Sequence, residues 1–171
     1  DLVVDDFGNP CILVRKGKGG KQQLQRILPD ELELVKAVFD HPADERHLFS
    51  KAEMDNKIDL HHLRALRAQQ MYNYYLERIR TETNYREQLI AEIKHTWEQD
   101  DLNRIDNGYR PKRWKDCKVN GNYVLRGHNR DLALKNGLPV SYDRLALLAV
   151  SIYHLAHWRH DVTVANYLLA I

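Results

Sequence analysis

The chain has 171 residues, of which 43% are hydrophobic and 29% charged. At this length a single domain buries roughly 70% of the unfolded chain's surface, and the composition excludes collagen-like, disordered and disulfide-scaffold classes. With 26 Lys and Arg against 24 Asp and Glu the net charge is +2, so bulk charge selects no partner and its distribution must do so.

Residues 11–28, CILVRKGKGGKQQLQRIL, run from an apolar stretch through a Gly- and Lys-rich turn into an alternating pattern, which predicts a β-hairpin. After Pro29, Asp30 with Glu33 three residues on predicts a helix start, and Leu32, Val35 and Phe39 carry its apolar side to His41-Pro42. A long helix is predicted from Asp59 to about Arg80, with Leu63, Leu66, Met71 and Tyr74 or Tyr75 at helical steps, and another over Asn84–Gln99, with Leu89, Ile93 and Trp97 four apart. The segment from Asp106 to Pro139 is basic and rich in turn signals such as Asn107-Gly108 and Asn120-Gly121, so it reads as loop or short hairpin. Ser141 is placed to cap a final major helix with Leu145, Leu148, Ile152 and Leu155 on one stripe, and a last short helix from Asp161 or Thr163 ends at Leu169. The fold class is mainly α with a small antiparallel β-hairpin or sheet, an α+β arrangement.

No apolar stretch approaches the length of a membrane span, the longest being LALLAV at 145–150. The first residues lack a secretory signal and the chain has no initiating Met, so it reads as a piece of a longer protein. Cys11 and Cys117 have no metal-ligand spacing and fit a reducing cytoplasm. Lysines crowd the first turn at Lys16, Lys18 and Lys21, and a second basic stretch holds Arg110, Lys112, Arg113, Lys115 and Lys118 beside Tyr109 and Trp114. Either is ordinarily a solvated surface.

Single candidates are weak: in a chain with 9 His, His61-x-x-Arg64 is a chance-level motif, and His157 and Tyr167 on helical segments are each more often core residues. Their order along the chain is informative. LVRKGKGGKQQLQRILP (13–29), IDLHHLRALRAQQMY (58–72) and SIYHLAHWRHDVTVANYL (151–168) together resemble the tyrosine recombinases of the phage integrase family. They match its GKGGK strand-turn-strand, its H-x-L-R box, and its LGH box with the nucleophile-bearing helix. The stretch from Tyr142 to Leu168 is also similar to integrases of bacterial mobile elements.

The resemblance implies a DNA breaking-rejoining catalytic core in which Tyr167 attacks a DNA phosphate and forms a 3′-phosphotyrosyl linkage, with no cofactor. Arg64 would grip the non-bridging oxygens of that phosphate. His61, one turn earlier, would hold or accept the tyrosine proton, His62 pointing about 100° away on the helix. Lys18 would be the general acid for the leaving 5′-oxygen, His157 would donate a hydrogen bond to the same phosphate, and Lys16, Lys21, Arg110, Lys112, Arg113 and Lys115 would contact the DNA backbone.

The implied whole is one truncated catalytic domain over 1–171 with an insertion at about 80–140. A further family arginine and the N-terminal DNA-binding domains would lie before Asp1, leaving this fragment inactive by itself. Double-stranded attachment-site DNA and three further copies of the protein are the implied partners, with no membrane, in a bacterial cytoplasm at the nucleoid. Ala156 departs from the family pattern, which has Gly there. Three rivals are weighed: a non-catalytic DNA-binding or regulatory module of the same fold, a type IB topoisomerase, and a metal site at His154, His157 and His160. The last is disfavoured because that spacing turns through about 600° of helix and the rings diverge.

Overall fold

Three short antiparallel strands open the computed structural model, which describes residues 1–17, 22–44, 47–54 and 59–170. The chain divides into two compact units, 1–63 and 64–171, and the boundary falls inside one helix.

In the first unit β1 (Leu2–Val4), β2 (Pro10–Val14) and β3 (Gln23–Arg26) form a sheet in that order, with Val3 opposite Cys11 and Cys11 opposite Arg26. The predicted hairpin is β2–β3. Strand β1 lay outside the sequence expectation, because three residues are too few for an alternation to register. It is tied to β2 through Asp5, whose carboxylate accepts the backbone N–H of Phe7 and Asn9. The same carboxylate pairs with Arg26 Nε at 2.7 Å, both side chains nearly buried.

The predicted helix after Pro29 begins later than Asp30. A 3₁₀ turn spans Pro29–Glu31, α1 runs Leu32–Asp40, and no side chain among the described residues caps it. A second helix, α2 (Leu60–Thr81), follows the Asp59 start read from sequence. Asp59 accepts the His62 N–H at 2.9 Å, and that bond holds its carboxyl below the usual carboxylate range.

Helices α2, α3 (Tyr85–Asp106) and α5 (Arg144–Tyr153) supply most of the second unit's core. Helix α3 continues seven residues past the predicted Gln99, because EQDDLNRID has no breaker even though its apolar stripe has ended. The segment 106–139, which reads as loop or short hairpin, contains β4 (Asn122–Val124) and a nine-residue helix α4 (Gly127–Lys135). Helix α4 escaped the reading because it opens on Gly and buries only Ala133. Strand β5 (Ser141–Asp143) pairs with β4, so Ser141 lies in a strand and the cap of α5 is Asp143. Its carboxylate accepts the Leu145 and Ala146 N–H groups at 2.8 and 3.1 Å. Every residue of α5 from Leu145 to Tyr153 is buried.

After α5 the chain bends through residues 154–159, forms a single turn α6 (His160–Thr163), and passes into a π-helical turn over Val164–Leu168. The fold is thus helical with small antiparallel sheets. Among the described residues no helix is long and apolar enough to cross a membrane.

Candidate functional site

The bend after α5 is built on two carbonyls of that helix. Val150 O accepts the N–H groups of His154 and Leu155 at 3.1 and 3.0 Å, and Ser151 O accepts those of His157 and Trp158 at 3.1 and 3.4 Å. Such a return to a helix's last carbonyls normally places glycine in the left-handed region. Here Ala156 takes it at φ +58° and Trp158 at φ +63°. Left-handed backbone costs an L residue about 1–2 kcal/mol, so strain sits on both sides of His157.

Three of the residues singled out in the sequence meet at this bend. Arg64, in the second turn of α2, donates from Nη2 to the Leu155 carbonyl oxygen at 3.0 Å. Its guanidinium carbon lies 5.6 Å from the centroid of the Tyr167 ring. The His157 ring stacks on that same ring at 5.8 Å between centroids, with the planes 13° apart. Tyr167 is half-buried and belongs to the π-helical turn, an irregularity found often at functional sites. Residues from positions 64, 157 and 167 thus share one cluster.

The protonation state of His157 follows from its surroundings. Burial pushes its pKa down to about 4, and the positive charges of Arg64 and Arg159 act the same way against a smaller opposing effect of Asp161. The ring is therefore neutral near pH 7. Nδ1 faces the Arg159 N–H at 3.3 Å and the Ser151 hydroxyl at 3.4 Å, both of which can donate to it. That arrangement assigns the single ring proton to Nε2. Nε2 is buried and has no hydrogen-bond partner among the described residues. A buried N–H left unpaired costs about 1–3 kcal/mol, so the site presents an unused donor beside a guanidinium and a phenol.

The remaining candidates are distributed as follows. His61 is exposed in the first turn of α2, three residues before Arg64, and His62 is exposed beside it. Lys16 is exposed just past β2, while Lys18 and Lys21 lie outside the described residues. Arg110, Arg113 and Lys115 are exposed in the second unit. Lys112 has its ammonium 2.7 Å from Asp100 Oδ2 and 4.2 Å from the Trp158 ring centroid.

The three histidines weighed as a metal site take separate partners. His154 bonds the Tyr75 hydroxyl at 3.0 Å, His157 faces Tyr167, and His160 donates to the Arg144 carbonyl oxygen at 3.1 Å. Among the described residues no group of three His, Cys, Asp or Glu side chains is placed to hold a metal ion. Two contributors escaped the sequence reading, Ser151 and Trp158. The first carried a usable signal, a lone serine inside the apolar run LALLAVSIY.

Compared with known protein families, with curated proteins and with solved structures, the chain matches none.

Proposed function

We propose that this chain is the catalytic part of a tyrosine-type site-specific DNA recombinase, an integrase of a mobile element built on a DNA breaking-rejoining core. The observation that carries the reading is the meeting of Arg64, neutral His157 and Tyr167 at one bend, with the His157 Nε2–H unpaired among the described residues. A guanidinium, a neutral N–H donor and a phenol form a set suited to a tetrahedral oxyanion under nucleophilic attack.

In this reading the Tyr167 oxygen attacks the scissile phosphorus. A P–O bond to tyrosine forms as the bond to the 5′-oxygen breaks, and the phosphotyrosyl linkage keeps the energy of the phosphodiester for religation. Arg64 and His157 stabilise the charge that grows on the non-bridging oxygens. His61 takes the phenol proton, and Lys18 supplies one to the leaving 5′-oxygen. No cofactor enters. Lys16, Lys21, Arg110, Arg113 and Lys115 would contact the backbone of double-stranded attachment-site DNA, with affinity that falls steeply as salt rises. A DNA-bound tetramer would be the working assembly, in the bacterial nucleoid, and 80–140 would be an insertion in the catalytic domain.

The test uses the gene's full-length product on nicked suicide DNA from the ends of its element. Wild type is expected to give a covalent protein–DNA band on a denaturing gel. Tyr167→Phe, which removes only the hydroxyl, is expected to bind the same DNA and give no band. A wild-type protein that binds but forms no adduct is the regulatory module of the same fold.

A further inference from the structure

His157 stands between two left-handed residues, Ala156 and Trp158. A backbone of that kind persists only where its surroundings over-determine it. Within the bend the restraint is the pair of N–H bonds to Ser151 O. A second restraint comes from a distant stretch of the chain. The Lys112 ammonium lies 4.2 Å from the Trp158 ring centroid, and the edge of Trp97 meets that ring at 5.3 Å.

Lys112 is itself held on helix α3. Its ammonium pairs with Asp100 at 2.7 Å, and the backbone N–H groups of Lys112 and Arg113 donate to the Asp101 carboxylate at 2.6 and 2.8 Å. Trp97, in the same helix, also meets Trp114 edge-on at 5.9 Å. Two consecutive aspartates and a tryptophan of α3 thereby fix a lysine over the residue next to His157.

We infer that Asp100, Lys112 and Trp158 form a clasp through which the segment 109–118 sets the position of the His157 ring, making Lys112 and Trp158 positioning residues. The inference rests on the site proposed above for its functional meaning. Its physical content is separate: opening the clasp lets the bend relax and brings water to His157. The charged and polar groups facing His157 are Arg64 from α2, Arg159 and Asp161 from its own segment, Ser151 from α5 and Tyr167 from the π-helical turn. None belongs to 109–118, so the clasp acts on the imidazole through geometry.

The experiment is a histidine-selective NMR titration of the chain, following the His157 imidazole in wild type, Lys112→Met, Lys112→Arg and Asp100→Ala. Wild type should titrate at about 4. Lys112→Met keeps the stem but loses the charge over Trp158, and Asp100→Ala loses the anchor of that charge. Both are expected to raise the His157 midpoint by about one pH unit or more, toward the hydrated value. Lys112→Arg preserves a cation over the ring and should stay within about 0.3 unit of wild type.

A long-range charge effect gives a different pattern, because removing a cation raises the midpoint and removing an anion lowers it. The clasp is overturned if the two variants shift His157 in opposite directions or if neither shifts it. Asp100 is a partly exposed side chain on a helix that stands without its ion pair, so Asp100→Ala decides the question should Lys112→Met fail to fold. An adduct on another tyrosine would remove the functional reading and leave this result intact.

Discussion

Helices α1 and α5 have similar apolar content and opposite fates. From Leu145 to Tyr153 every residue of α5 is buried, whereas α1 buries none and exposes 70% of Leu34. The difference lies in what surrounds each helix. Helix α5 is apolar on all sides and packs against α3, β5 and α6, while α1 alternates its apolar positions with the charged Glu33, Lys36 and Asp40. Burial therefore concentrates beneath the bend that carries His157, and a dense core is what allows two left-handed residues to persist there.

The largest test of that contrast is a pair of truncations. Leu148 is fully buried, and Leu148→Ala should remove about 3–5 kcal/mol by loss of transfer energy plus a cavity. The corresponding change on α1, Phe39→Ala, deletes a half-buried ring and should cost about 1 kcal/mol. Urea unfolding followed by circular dichroism measures both. Equal losses would mean that α1 is as firmly packed as α5.

Next in size is the response to acid. His157 and His160 are each pushed from 6.5 to about 4, in both cases chiefly by burial. Between those values the unfolded chain takes up protons that the folded chain does not, so stability falls as pH drops from 6.5 towards 4 and levels off below. By pH 5 each group should withdraw about 1 kcal/mol or more, after allowance for the water that reaches a half-buried site. Thermal melts at pH 7 and pH 5 should show the decline, and His157→Asn should lessen it. A melting temperature that ignores pH over this range would show both rings to be hydrated.

The smallest effect has the opposite sign. Ala156→Gly relieves left-handed strain at φ +58° and gives back part of the gain as unfolded-state entropy, leaving a stabilisation of about 0.5–1 kcal/mol. Melting temperature reads it directly. A loss of stability would mean that the Ala156 methyl packs better than its backbone suffers.

Much of this was legible in the sequence where a long pattern repeated. Helix α2 begins one residue from its predicted start because Asp59 is a chemically explicit cap, and α5 is hard to miss as an apolar run. Strand β1 and helix α4 were not legible: β1 is three residues long, and α4 opens on Gly and buries only Ala133. Within the site, Arg64, His157 and Tyr167 were marked by the order of their motifs and the family resemblance that this order carries. The hold of Lys112 on Trp158 joins positions 46 residues apart with no periodicity between them, and the π-helical turn under Tyr167 follows from no local propensity.

The central claim is that Tyr167 is the group that becomes covalently attached to DNA. Digestion of the covalent complex with nuclease and protease, followed by tandem mass spectrometry, locates the modified residue. The account predicts a nucleotide phosphate on the oxygen of Tyr167, in the peptide that follows Arg159. The same mass on Tyr153 or any other residue would contradict it.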